Sequence, residues 1–160
     1  MGEYSATADH AVSAQIKRPR ARRADPLQQR TFPGRPDQAG EARRFLAKVL
    51  AQCPAGCPAS EAGGSCQATD DAVLCLSELA ANAAIHSYSA RPGGHFTVRV
   101  GIGDAGRLRV EVTDEGGQWN WRDPHDLHGR GLEILRTLAD DWGRSGDGDS
   151  GWTVWFELEC

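Results

Sequence analysis

Apolar and polar positions alternate in two neighbouring stretches of the chain. Phe96, Val98 and Val100 form one set, and Leu108, Val110 and Val112 form the next. A period of two predicts half-buried strands, with Asp104-Ala105-Gly106 turning the hairpin between them. Trp152, Val154, Phe156 and Leu158 alternate again and predict a last strand, preceded by a turn over Asp147 to Gly151. Other stretches follow the helical period. Phe45, Leu46, Val49 and Leu50 share one face of a helix predicted from an Asp37 N-cap to about Leu50. Val73, Leu74, Leu76, Leu79, Ala80 and Ala83 give a broad apolar face to a second helix, capped by Thr69 or Asp70 and running to about Ser87. A third covers roughly Arg130 to Leu138. A short strand is expected near Arg30–Phe32, ended by Pro33-Gly34.

The order is strand, helix, helix, strand, strand, helix, strand. Hairpins force antiparallel pairing, and the helices must bury their apolar stripes on one face of the sheet. The fold class predicted is α+β, a two-layer α/β sandwich with a mostly antiparallel mixed sheet and about three helices on one face. Residues 29–160 form the domain. Residues 1–28, with the run KRPRARR, lack apolar periodicity and read as a disordered basic arm. Cys53 to Ser65 reads as a Pro/Gly/Cys loop, Arg91 to Gly94 as a turn, and Gly116 to His128 as a loop rich in Gly, Trp, Asp and His.

Charge narrows the partners. A net charge of -4 argues against nucleic acid, which selects a basic surface. The charge is uneven: residues 1–36 carry seven Lys/Arg against three Asp/Glu, and the rest carries eleven against nineteen. No apolar run approaches the roughly 20 residues of a membrane span, and the N-terminus lacks the apolar segment of a signal peptide. The expected location is the cytoplasm, with no membrane contact. The five cysteines are an odd number. Cys53, Cys57 and Cys66 cluster without a paired CxxC or a nearby histidine, so reduced thiols on a loop are expected rather than a metal site.

Several short motifs carry candidate chemistry. Gly101-Ile102-Gly103-Asp104-Ala105-Gly106 fits GxGxxG, but a dinucleotide site needs a helix after the glycines. Here a strand follows, so the match reads as a hairpin. On the second helix Glu78, Asn82 and His86 recur every four residues and line one stripe. A carboxylate and a carboxamide one turn apart suit a proton acceptor and an uncharged Mg²⁺ ligand; alone, they also fit a polar stripe. Asp114-Glu115-Gly116-Gly117 closes a strand. A buried Asp there can accept from adenine's amino group, where guanine presents an acceptor; alone, it is also a common turn. His128-Gly129-Arg130-Gly131-Leu132 opens the third helix, where free backbone N–H groups and the helix dipole suit phosphate.

The three motifs occur in order within 55 positions, and together they resemble the N, G1 and G2 boxes of the GHKL ATPases (gyrase, Hsp90, histidine kinase, MutL). The likeness extends to Phe32-Pro33-Gly34, Leu74 to His86, Gly129 to Leu132 and Thr153 to Leu158, in the manner of actinobacterial-type anti-sigma-factor serine kinases. The resemblance implies the Bergerat ATP-binding fold, with ATP and Mg²⁺ as cofactors. It implies Glu78 as general base and Asn82 as Mg²⁺ ligand. Asp114 would hold the adenine amino group and Gly116 of the Gly116-Gly117 pair would admit the base. Gly129, Arg130, Gly131 and Leu132 would sit at the phosphates. The implied activity is phosphorylation of a serine or threonine on a STAS-type anti-sigma-factor antagonist, with a sigma factor as second partner and a homodimer as a family habit. His86 reads as structural.

The chain departs from the family in one place. Gln118-Trp119-Asn120-Trp121 stands where a further glycine often follows the G1 pair, and eleven residues (Gln118 to His128) separate the glycine boxes. Trp119 and Trp121 are expected to pack within this lid or to stack on the base or a partner, and His125 and His128 to lie on its surface. The short lid keeps open a second reading, a non-catalytic ATP-gated protein-binding module. A sensor histidine kinase is excluded because residues 1–36 are too few and too polar for a phospho-acceptor helical hairpin.

Overall fold

A computed structural model of the chain describes residues 28–52, 67–103, 106–117 and 130–159. The elements run β1 (Gln28–Pro33), α1 (Gln38–Ala51), α2 (Gln67–His86), a 3-10 turn (Tyr88–Ala90), β2 (His95–Ile102), β3 (Arg107–Thr113), α3 (Arg130–Leu138), β4 (Asp141–Asp147) and β5 (Gly151–Glu159). The strands form one five-stranded sheet in the order β1-β2-β3-β5-β4, and all four pairings are antiparallel. The architecture is the expected two-layer α+β sandwich, with an antiparallel sheet in place of the mixed one.

The alternating strands place their apolar residues as the period demands. Val98 pairs with Val112 and Val100 with Val110 across β2 and β3; Val112 and Val110 pair in turn with Val154 and Phe156 of β5. All six are buried, with Leu46 of α1, Leu76, Leu79, Ala80 and Ala83 of α2, and Leu135 of α3 against them. Alanines at 72, 80, 83 and 84 let α2 lie close on the central strands. Phe32, the one buried residue of β1, stacks on Phe96 at 5.4 Å between centroids. On the opposite face, Arg109 bonds Glu111 and Glu157 and lies 4.1 Å over the Trp155 ring.

Three local expectations need correction. The second helix already includes Gln67, so Thr69 and Asp70 sit inside it rather than capping it. Asp37 stands at the N-cap of α1, but its carboxylate caps no backbone amide; it accepts from Arg35 and Gln38 side chains instead. β4 was not expected at all. Asp141-Trp-Gly-Arg-Ser-Gly-Asp has no aliphatic alternation, and β5 recruits it as an edge strand. Gly143 is glycine because the Trp155 ring lies across it; an added Cβ would come within 2.7 Å of that indole. Residues 1–27 of the basic arm, the Cys53–Ser65 loop and the lid from Gln118 to Gly129 lie outside the described residues, while Gln28, expected in the arm, opens β1.

Candidate nucleotide-binding site

Asp114 is the first residue past β3. Its N–H still donates to the Trp152 carbonyl at 2.9 Å, so the β3–β5 ladder carries it into the interior. Its side chain turns back on the same ladder. Oδ1 accepts from the Gly116 N–H at 2.7 Å and the Trp152 N–H at 3.1 Å. Oδ2 receives no hydrogen bond from the described residues. The residue is buried, 9 % exposed. Burial pushes its carboxyl above the ordinary value; the two amides pull it down, and the Glu115 charge pushes it up again. An acceptor oxygen is therefore held in a low-polarity setting, where a donor on a ligand is worth most.

The glycine pair after Asp114 is explained by packing. Gly116 has φ +85 and Gly117 φ +112, which L side chains rarely adopt. A Cβ on Gly116 would lie 2.4 Å from the Gly148 carbonyl oxygen in the β4–β5 turn. The space beside Gly116 is thus filled by this turn. Gly117 N–H donates to Gly148 O at 2.8 Å, and the Trp152 indole reaches Gly117 O at 3.4 Å.

The other side of the loop is held by the segment after α2. Tyr88 N–H donates to Gly116 O at 2.8 Å, and Glu115 N–H donates to the Ser89 hydroxyl at 3.0 Å. Ser87 donates to Ala83 O, one turn back in α2, and accepts from Ser89 N–H. Ser89 is fully buried because Gly34 and Gly94 both close on its carbonyl. The Phe-Pro-Gly segment therefore supports the site from behind. Ser87, Ser89 and Trp152 were missed in the sequence. A Ser-x-Ser pair directly after a helix and a Trp opening the last strand were the signals available.

α2 brings the remaining groups. It packs on β2, β3 and β5, with α1 on one flank and α3 against it. Asn82 is 8 % exposed and accepts or donates no hydrogen bond among the described residues. Glu78, one turn earlier, is half-buried, and so is His86. Of the G2 box, Arg130 and Gly131 begin α3 and Leu132 is half-buried within it. Gly129, Trp119, Trp121, His125 and His128 lie outside the described residues.

The model for the histidine kinase-like ATPase domain matches residues 32–158. The chain belongs to that family. Membership implies ATP as the ligand, and the chemistry fits: Asp114 Oδ2 can take an amino donor, and Asn82 can offer an oxygen to a hydrated cation.

No curated protein matches the sequence of this histidine kinase-like ATPase domain. Two solved structures are similar. One comprises the RsbU and RsbW domains of Rv1364c from Mycobacterium tuberculosis, with 23 % identity and a TM-score of 0.61. That match covers 84 % of this chain and 32 % of the other. The second is the histidine kinase domain of a blue-light-activated histidine kinase from Erythrobacter litoralis, at 18 % identity and TM-score 0.48, covering 80 % of this chain and 61 % of that one. The first shows the shared fold. Among the described residues no helix is long and apolar enough to cross a membrane.

Proposed function

We propose that this domain binds ATP with Mg²⁺ in the cytoplasm and transfers the γ-phosphoryl group to a serine or threonine of a partner protein. The observation that carries the reading is the match of residues 32–158 to the histidine kinase-like ATPase domain, with Asn82, 8 % exposed, one helical turn from the Glu78 carboxylate. In this reading Asp114 accepts from the adenine amino group. Asn82 holds the cation, which supplies charge neutralisation at the phosphates. Gly129, Arg130, Gly131 and Leu132 line the phosphates at the start of α3, and Gly116-Gly117 keep the loop under the base. Glu78 accepts the proton of the attacking hydroxyl. The likeness to an RsbW-containing structure supports a STAS-type anti-sigma-factor antagonist as substrate, a sigma factor as second partner and a homodimer as the assembly.

A second reading, an ATP-gated binding module without transfer, is favoured by the eleven residues between the glycine boxes. Glu78→Gln separates the two. A general base contributes about 10²–10⁴-fold to such a step, while other groups hold the nucleotide. The variant should bind ATP as tightly as wild type in calorimetry and lose transfer from labelled ATP to a cognate STAS-type protein. If the unaltered protein binds ATP and this partner yet transfers nothing, the module stands and the kinase reading falls.

A further inference from the structure

Two large apolar side chains are exposed among the described residues, Leu74 at 43 % and Ile85 at 50 %, and both lie on α2. They lie on one ridge. At about 100° per residue, Leu74, Ala81 and Ile85 fall within about 40° of arc, on the side opposite the buried Leu76, Leu79, Ala80 and Ala83. Glu78 lies about 40° from Leu74, and Asn82 about 40° further round. The ridge spans about 16 Å, with Glu78 between its ends. α1 packs along the far flank, where Arg43 reaches the Ser77 hydroxyl at 3.5 Å. Isolated exposed apolar residues need no explanation. Two that share one ridge, on either side of the candidate general base, do.

The charge of the helix adds a second constraint. α2 carries Asp70, Asp71 and Glu78 and no Lys or Arg. Asp71 precedes Leu74 by one turn, at the N-terminal end of the ridge, and its carboxylate accepts only from the uncharged Gln67 side chain, at 2.8 Å, among the described residues. The occupant is therefore complementary in two ways, apolar along the ridge and basic where it passes Asp71.

We propose that the outward ridge of α2, formed by Leu74, Ala81 and Ile85 with Asp71 at its end, docks the protein segment that presents its hydroxyl to Glu78, and that this segment is apolar on either side of its serine or threonine and basic at one end. The inference rests on the kinase reading. Glu78 is half-buried and lies about 40° from Leu74 on the same helix, so the ridge borders the carboxylate that accepts the proton in that reading.

The test uses the full chain and fluorescein-labelled synthetic peptides. One set has a central serine flanked by leucines, with two arginines at either end. The control has serines in place of the leucines and glutamates in place of the arginines. Binding is read by anisotropy and transfer from labelled ATP with Mg²⁺. The apolar, basic peptides should be favoured about tenfold or more in kcat/KM, since half-burying a leucine-sized side chain corresponds to about that factor. Leu74→Ser and Ile85→Ser should each raise KM about tenfold and leave kcat and the ATP Kd unchanged. Transfer that ignores both the flanking residues and the ridge variants overturns the docking surface and leaves the kinase reading intact. Peptide binding that the ridge variants weaken, without transfer to any peptide, upholds the ridge and overturns the kinase reading. No peptide binding, or a dimer that Leu74→Ser converts to monomer in sedimentation, overturns the ridge; in the latter case its occupant is a second copy.

Discussion

Asn82 and Asp114 are both buried polar residues, but the structure treats them differently. Asp114 has two backbone donors on one oxygen and an unfilled second oxygen, whereas Asn82 has no partner among the described residues. Asn82→Ala should therefore leave the unliganded fold about as stable as before, because it breaks no hydrogen bond among the described residues and leaves only a small cavity. It should abolish the Mg²⁺ dependence of ATP affinity. Thermal melts and calorimetry with and without Mg²⁺ check both halves, and an unchanged Mg²⁺ dependence removes Asn82 as a ligand. For Asp114 the sign follows from its raised carboxyl. The folded state holds this proton more tightly than the unfolded chain. The stability it contributes is full below the ordinary value of 3.8 and is lost as pH rises through the raised folded value. The wild-type minus Asp114→Asn stability difference should fall across that window. An adenine amino donor favours the ionised form, so ATP affinity should rise with pH there, with proton release visible in calorimetry in two buffers of different ionisation enthalpy. A pH-independent affinity would remove the adenine contact.

At the scale of elements, much was legible because period and burial coincide. β2, β3 and β5 have one aliphatic or aromatic residue at every second position, and α3 was placed at its observed bounds because its apolar residues recur at the helical period between a glycine pair and Ala139. β4 was not legible. Its place comes from β5, and a Gly at 143 reads as a breaker until the Trp155 ring is seen to need the space. The site was half legible for the same reason. Glu78, Asn82 and Asp114 stand in local motifs, but Ser89 and Trp152 act through contacts 26 and 38 positions away, to Glu115 and Asp114. Phe-Pro-Gly was recognised as a motif without a cause, and its cause is also long-range. A Cβ at Gly34 would overlap the Ser89 carbonyl oxygen at 1.7 Å, and the Ser89 hydroxyl in turn holds Glu115 N–H. Gly34→Ala should thus destabilise the fold by about 1–3 kcal/mol and also weaken ATP binding, because the displacement passes to the loop at Asp114. Gly93→Ala is the control. Its φ is +82 with nothing within 4 Å of the added carbon, so only the backbone cost of about 1–2 kcal/mol applies and ATP affinity is unchanged. Denaturant melts and ATP titrations of both variants decide whether Gly34 acts on the site or on stability alone.

Taken whole, the molecule ties the exit of β3, the entry of β5 and the turn after α2 together by hydrogen bonds, with α2 packed on the sheet and α3 packed on α2. Each is fixed by the shared core, so the site should need the core and nothing N-terminal to it. β1 bears on this directly. Its first four residues, Gln28 to Thr31, are exposed, and Phe32 is its one buried side chain. The preceding residues carry charge of the opposite sign to the domain, which places any attraction between them at the surface, where it is weak and screened by salt. A chain beginning at Gln28 should therefore unfold within a few degrees of the full-length protein and bind ATP with a Kd within about twofold. Millimolar ATP at micromolar affinity should add about 4 kcal/mol to both, and GTP much less, because guanine sets an acceptor against Asp114 Oδ2. A shortened chain that fails to fold would move the domain boundary into residues 1–27. One that folds but loses ATP would give the basic arm a part in holding the triphosphate, the charge it is best suited to meet.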